Sequence, residues 1–104
     1  MTDLEIRRLG RTEMKPKALG LGCGYLGEPQ RTSEEEATAT IQAAIERGID
    51  FIDTAPQYGQ GVSEYRVGLA LAAGWREKVY LQTKVGSHPR FFKRSDNLEP
   101  GEQL

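Results

Sequence analysis

The chain has 104 residues, of which 38% are hydrophobic and 28% charged, an ordinary soluble balance in a length that holds at most one domain. Its formal net charge of −1 gives no bulk attraction to nucleic acid or to anionic lipid, and its one cysteine, Cys23, excludes an intrachain disulfide and fits a reducing compartment. The start, MTDLEIRRLG, lacks the apolar stretch of a signal peptide, and no apolar run approaches the ~20 residues of a membrane span, so the expectation is a soluble cytoplasmic protein with neither a nucleic-acid nor a membrane partner.

The segments LEIRRL (4–9) and MKPKAL (14–19) flank GRTE and read as a β-hairpin around a Gly-led turn. Pro16 cannot donate a ladder hydrogen bond, which puts its strand at an edge. Residues 18–21 of ALGLGCGYLG suit a short buried strand, and the glycines after them suit close approach of another group to the backbone. After the loop EPQRT (28–32), Ser33 and Glu36 have the spacing of a capping box. Ala37, Ile41, Ala44 and Ile45 share one helical face, and Gly48 is placed to end the helix in the left-handed conformation. IDFID (49–53) follows as a strand with Ile49, Phe51 and Asp53 on one face.

Ser63 is expected to cap a second helix, with Glu64 at its positive end. Val67, Ala70 and Leu71 form its apolar stripe, and Gly74 is expected to stop it. VYLQTKV (79–85) reads as a strand with Tyr80, Gln82 and Lys84 on one face and Val79, Leu81, Thr83 and Val85 on the other. From Gly86 the periodicity fails, and 87–104 reads as a loop or disordered tail. After the hairpin the order is strand, helix, strand, helix, strand, which implies a parallel sheet with helical crossovers: an α/β fold over residues 1–86.

Two of these strands end on charge. Asp53 closes one and Lys84 stands near the end of the next, and in a parallel sheet both ends lie on the same edge. Tyr58 lies in the loop leaving the Asp53 strand, on that edge too. A free tyrosine titrates near pH 10, and a neighbouring ammonium favours the phenolate. A carboxylate behind the lysine offsets the cost of holding its charge in a partly dry site. Such a phenol can give a proton to a carbonyl oxygen or take one from an alcohol, chemistry that suits hydride transfer with a nicotinamide cofactor.

DTAPQYGQGVSE, then GLAL and LQTKVG, with LGLGCGYLG before them, resemble the signature region of the aldo-keto reductase family across residues 4–86, and within it the aldose-dehydrogenase-like branch. The resemblance implies the N-terminal part of a TIM (β/α)8 barrel, here the hairpin, about three parallel strands and two helices. It implies NADP(H) or NAD(H) bound without a Rossmann domain, and a small carbonyl or sugar substrate. It makes Tyr58 the acid/base, with Lys84 and Asp53 tuning it, and places Gly22, Cys23, Gly24, Asp53 and Lys84 against the cofactor. Two positions depart from the family pattern. The family's site histidine follows the next strand, and His88, four residues after Lys84, does not match it. Cys23 stands where the family often has threonine. A complete barrel needs roughly 250 residues, so the reading expects a fragment or truncated gene product, inactive alone.

Taken singly, each residue has a plainer reading. Asp53 could cap a turn, Tyr58 could be a half-buried loop aromatic, and Lys84 could snorkel at the sheet edge. Glu64 reads as a structural acid at a helix start, His88 as an exposed loop residue, and Cys23 as a small packed side chain. One Cys and one His leave no Cys/His set for a metal. RFFKR (90–94) mixes bases and aromatics but reads as a solvated loop. Two rivals to the reductase remain: a non-catalytic fragment that self-associates through open sheet edges or docks on a partner, and a small α/β binding module.

Overall fold

The computed structural model describes residues 3–85, and the expected tail over 87–104, with His88 and RFFKR, lies outside the described residues. The amino-terminal hairpin forms around Gly10, whose φ of +57° only glycine adopts freely. It is an antiparallel pairing centred on Ile6 and Lys17, with Arg7 N–H donating to the Pro16 carbonyl and Leu9 N–H to that of Met14. Ala18 N–H donates to the Glu5 carbonyl. Ala18 therefore belongs to the hairpin, and the strand expected to open there begins later, as β1 (Leu21–Gly22). The hairpin is tied to the amino-terminal ends of the other two strands. Lys17 N–H donates to Asp50 Oδ1 at 2.7 Å, and Lys15 N–H to the Tyr80 hydroxyl at 3.1 Å.

Helix α1 (Glu34–Glu46) starts where its capping residues place it: the Ser33 hydroxyl accepts from Glu36 N–H at 3.1 Å. Its end is a Schellman motif. Gly48, at φ +109°, donates to the Ile45 carbonyl, and Ile49 N–H reaches back to that of Ala44. Strand β2 (Phe51–Asp53) follows, then α2 (Val62–Ala70) and β3 (Tyr80–Gln82). The strands pair in parallel in the order β1-β2-β3, with Ile52 opposite Leu21 and Leu81, and Asp53 opposite Gly22 and Gln82.

Two expectations for α2 are corrected. Its N-cap is Gly61, at φ +99°, and Ser63 lies inside the first turn, fully buried. The Ser63 hydroxyl donates to the Cys23 carbonyl at 2.8 Å and shares a 2.6 Å hydrogen bond with Thr54 Oγ1, so it ties α2 to the segments after β1 and β2 instead of capping its own helix. The helix also ends at Ala70, before Gly74, because Ala73 and Gly74 take φ of +58° and +94°, which a right-handed helix cannot contain.

The core lies between the sheet and the two helices. Ile52 and Cys23 from the sheet layer meet Ile41 of α1 and Val67, Ala70 and Leu71 around the end of α2, with Val79 beside them. Full burial of each large aliphatic chain contributes roughly 1.5–3 kcal/mol. Leu81, which shares Ile52's face, stays 37% exposed, in a recess bordered by Glu64, Val67 and Gly68 of α2. No described helix is long and apolar enough to cross a membrane.

Two outcomes test this packing. Ser63→Ala leaves the Cys23 carbonyl without this donor in a dry site, and urea unfolding is expected to show a loss of about 1–3 kcal/mol. The Cys23 thiol is pushed up to about 11, first by burial and second by the Asp53 carboxylate. Its proton is thus held more tightly in the folded state than in the unfolded one, so that contribution to stability is complete below the ordinary thiol value of 9.0 and lost as pH rises through 11. Native protein at pH 8 is expected to resist iodoacetamide, urea-unfolded protein to react, and Cys23→Ala to flatten the decline in stability between those values.

Candidate active site

The parallel register decides the site. Asp53 is the last residue of β2 and pairs with Gln82, the last of β3, so the chain reaches Lys84 just beyond the same edge. Lys84 Nζ donates to Asp53 Oδ1 at 2.7 Å and to the Thr54 carbonyl at 2.9 Å. Gln82 Nε2 donates to the same Asp53 oxygen at 2.7 Å. The Asp53 hydrogen bond is the main reason that Lys84 is held above its ordinary value; partial burial opposes it, and the Tyr58 phenol and Asp53's charge add to it. Lys84 therefore stays an ammonium throughout the neutral range. The ammonium sits 4.8 Å from the centre of the Tyr58 ring, within cation–π range.

Tyr58 opens a short turn, Tyr58–Gly61, in which Gly59, Gln60 and Gly61 all have positive φ. Such a backbone costs energy at Gln60, which carries a Cβ. At Gly59 the reason for glycine is contact: a Cβ there would overlap the Gly27 carbonyl oxygen. A Cβ on Gly27 would in turn fall 2.6 Å from that of Ser63. The connection from β1 to α1 is thus pressed onto the Tyr58 turn with no side chain between. Between them lies a recess of about 450 Å³ lined by Gly22, Gly24, Tyr25, Glu28, Gln57, Tyr58 and Gly59.

Asp53, Tyr58 and Lys84 come together as their positions suggested. Gly22 and Gly24 border the same recess, with open space where a Cβ would project. Cys23 does not join them. Its side chain is fully buried in the core, as the plainer reading of a small packed residue expected. The reason is alternation: Cys23 comes two residues after Leu21, which pairs with the buried Ile52, and so continues that face toward the helices.

Four partners escaped the sequence reading. Gln82 shares Lys84's face, and the two-residue period alone could have flagged it. Thr54 offers its carbonyl, which no sequence signal marks. Glu64, read as a helix-start acid, also accepts from Thr83 Oγ1 at 2.6 Å, tying α2 to the segment that carries Lys84. Arg66, within the apolar stripe of α2, is buried and donates to the Leu26 and Thr32 carbonyls. Among the described residues no three His, Cys, Asp or Glu side chains gather closely enough to hold a metal ion.

The chain is similar to several known proteins. L-galactose dehydrogenase from Arabidopsis thaliana is 38% identical over 95 residues, covering 88% of this chain and 30% of the relative. D-threo-aldose 1-dehydrogenase from a Pseudomonas species is 43% identical over 70 residues, covering 66% of this chain and 21% of the relative. The holo form of an aldo-keto reductase from Bacillus halodurans superposes with a TM-score of 0.71 at 37% identity, over 80% of this chain and 26% of that one. The chain spans less than a third of each of these proteins, and its three-stranded sheet corresponds to the N-terminal part of their barrel fold. Residues 18–101 match the aldo/keto reductase family, and the chain belongs to that family.

Proposed function

We propose that these residues form the proton-transfer half of an NAD(P)(H)-dependent oxidoreductase that interconverts a carbonyl compound (an aldehyde, ketone or aldose) and its alcohol. The observation that carries the reading is the Lys84 ammonium, fixed by Asp53 at 2.7 Å and poised 4.8 Å from the Tyr58 ring centre. Tyr58 gives its proton to the carbonyl oxygen in reduction and takes it from the hydroxyl in oxidation. Lys84 stabilises the phenolate left behind, and Asp53 keeps Lys84 charged and in place. The relatives' names, an L-galactose dehydrogenase and a D-threo-aldose 1-dehydrogenase, support a sugar among the substrates.

The nicotinamide cofactor, when bound, supplies or accepts the hydride. The residues present fit it. Gly22 and Gly24 leave bare backbone facing open space beside Tyr58, room for a flat ring. Asp53 Oδ1 takes both bonds from β3, so Oδ2 is left to accept from a ribose hydroxyl, beside the Lys84 ammonium. The open edges of β1 and β3 are where the remaining strands of a barrel pair. Self-association of a chain lacking those strands follows from the same edges, and a clean monomer by size-exclusion chromatography would count against it.

In the barrel completed with its remaining strands, Tyr58→Phe is expected to lower turnover by about 10²–10⁴-fold while NADPH still quenches protein fluorescence with its original affinity; turnover near the parent's would sink the assignment. Lys84→Met is expected to lose turnover to a similar degree. Asp53→Asn removes the main influence that raises Lys84 and one proposed ribose contact, so weaker NADPH binding should accompany its slower turnover, checked by fluorescence titration beside steady-state rates.

A further inference from the structure

Arg66 stands out among the described residues because it is a charge placed where an apolar residue would suffice. It is 7% exposed, on the face of α2 that carries Val67 and Ala70, and it makes no carboxylate contact among the described residues. Holding a guanidinium in a dry place without a counter-ion costs several kcal/mol unless its donors are well used. They are used on backbone: Arg66 Nη1 donates to the Leu26 carbonyl at 2.7 Å and to the Thr32 carbonyl at 2.8 Å.

Those two carbonyls bracket residues 27–31, the outer part of the connection from β1 to α1. One nitrogen atom therefore closes this stretch at its neck. The neighbour of Leu26 is Gly27, whose carbonyl oxygen presses on Gly59 and whose Cα has no room for a side chain beside Ser63. Gly59 is next to Tyr58, and Glu28 and Tyr25 of the clamped connection face Tyr58 across the recess. The neck bond thus acts on Leu26, then Gly27, then Gly59, then Tyr58. Loosening it lets the connection lift, and the Tyr58 turn, already held in positive φ over three residues, loses the surface that it rests on.

We propose that Arg66 is a positioning residue for Tyr58: by clamping the connection at Leu26 and Thr32 it fixes where the phenol stands relative to the Lys84–Asp53 pair. The inference rests on the reading of Tyr58 as the acid/base. Arg66 touches none of the three, so its effect is on geometry at the reacting centre and not on binding.

The test uses Arg66→Met and Arg66→Lys in the completed barrel, with rates normalised to NADPH sites titrated by fluorescence, so that a smaller folded fraction does not count as slower chemistry. Misplacement by an ångström can cost up to about 100-fold, and Arg66→Met is expected to lower kcat per site about tenfold, with NADPH affinity and substrate KM within about twofold of the parent. The deuterium isotope effect on kcat should rise as the chemical step becomes limiting. Arg66→Lys, which keeps a charge and donors for both carbonyls, is expected to recover most of the rate. A kcat per site in Arg66→Met within about twofold of the parent, or equal losses in both variants, would overturn the proposal. Should Tyr58→Phe itself remain active, the acid/base reading fails; should Tyr58→Phe be inactive and Arg66→Met unimpaired, only the positioning role fails.

Discussion

Gln82 Nε2 and Lys84 Nζ both donate to one oxygen, Asp53 Oδ1, each at 2.7 Å. This convergence is possible because β2 and β3 run parallel with Asp53 opposite Gln82. Side chains two residues apart on a strand share a face, so Gln82 and Lys84 reach the same acid from the same side. Slipping the register by one residue would turn that face toward the helices and separate the charges. The pair is only partly shielded from water, so its contribution is orientation more than stability. Lys84 is anchored by a carboxylate and a carbonyl, with its ammonium 4.8 Å from the centre of the Tyr58 ring.

The register is secured from behind. Ile52 alternates with Phe51 and Asp53, and its burial against Ile41, Val67, Ala70 and Leu71 allows only one face of β2 to meet the helices. Ser63 then joins the layers through a polar contact. Its hydroxyl links the Cys23 carbonyl next to β1 with Thr54 just after β2, so the first turn of α2 is fixed against both strand ends. The contact of Gly27 with Gly59 and Ser63 adds a third connection to the same point. Asp53, Tyr58 and Lys84 stand at the open edge, while Thr54, Ser63 and Arg66 behind them are buried. Such an arrangement lets a polar site keep its geometry without being sealed from substrate.

Much of the fold was legible in the chain. Capping at Ser33 and the left-handed stop at Gly48 are local effects and formed where the residues called for them, while the strands expected over 49–53 and 79–85 pair only at Phe51–Asp53 and Tyr80–Gln82, where the neighbouring strand is in reach. Ser63 was misplaced because a serine before an acid has the appearance of an N-cap, but Gly61 has no Cβ penalty at φ +99° and takes the position, leaving the hydroxyl for a buried tertiary contact. The second helix stopped short of Gly74 because Ala73 also reverses the chain, and alanine carries no such signal. Cys23, two residues after Leu21, is turned inward with it and fully buried, the packed position that a small residue at a strand end suggested.

The sequence by itself determined the order of elements, their periodicity and the identity of the acid, the phenol and the ammonium, because these depend on side-chain chemistry and on neighbours within a few positions. Only the tertiary structure decided which groups share a hydrogen bond. Gln82 on Asp53, Ser63 on the Cys23 carbonyl and Arg66 on the Leu26 and Thr32 carbonyls join residues between 29 and 40 positions apart. A buried donor takes whichever acceptor the packing leaves beside it, and backbone carbonyls, identical at every position, give the sequence no mark by which to name one in advance.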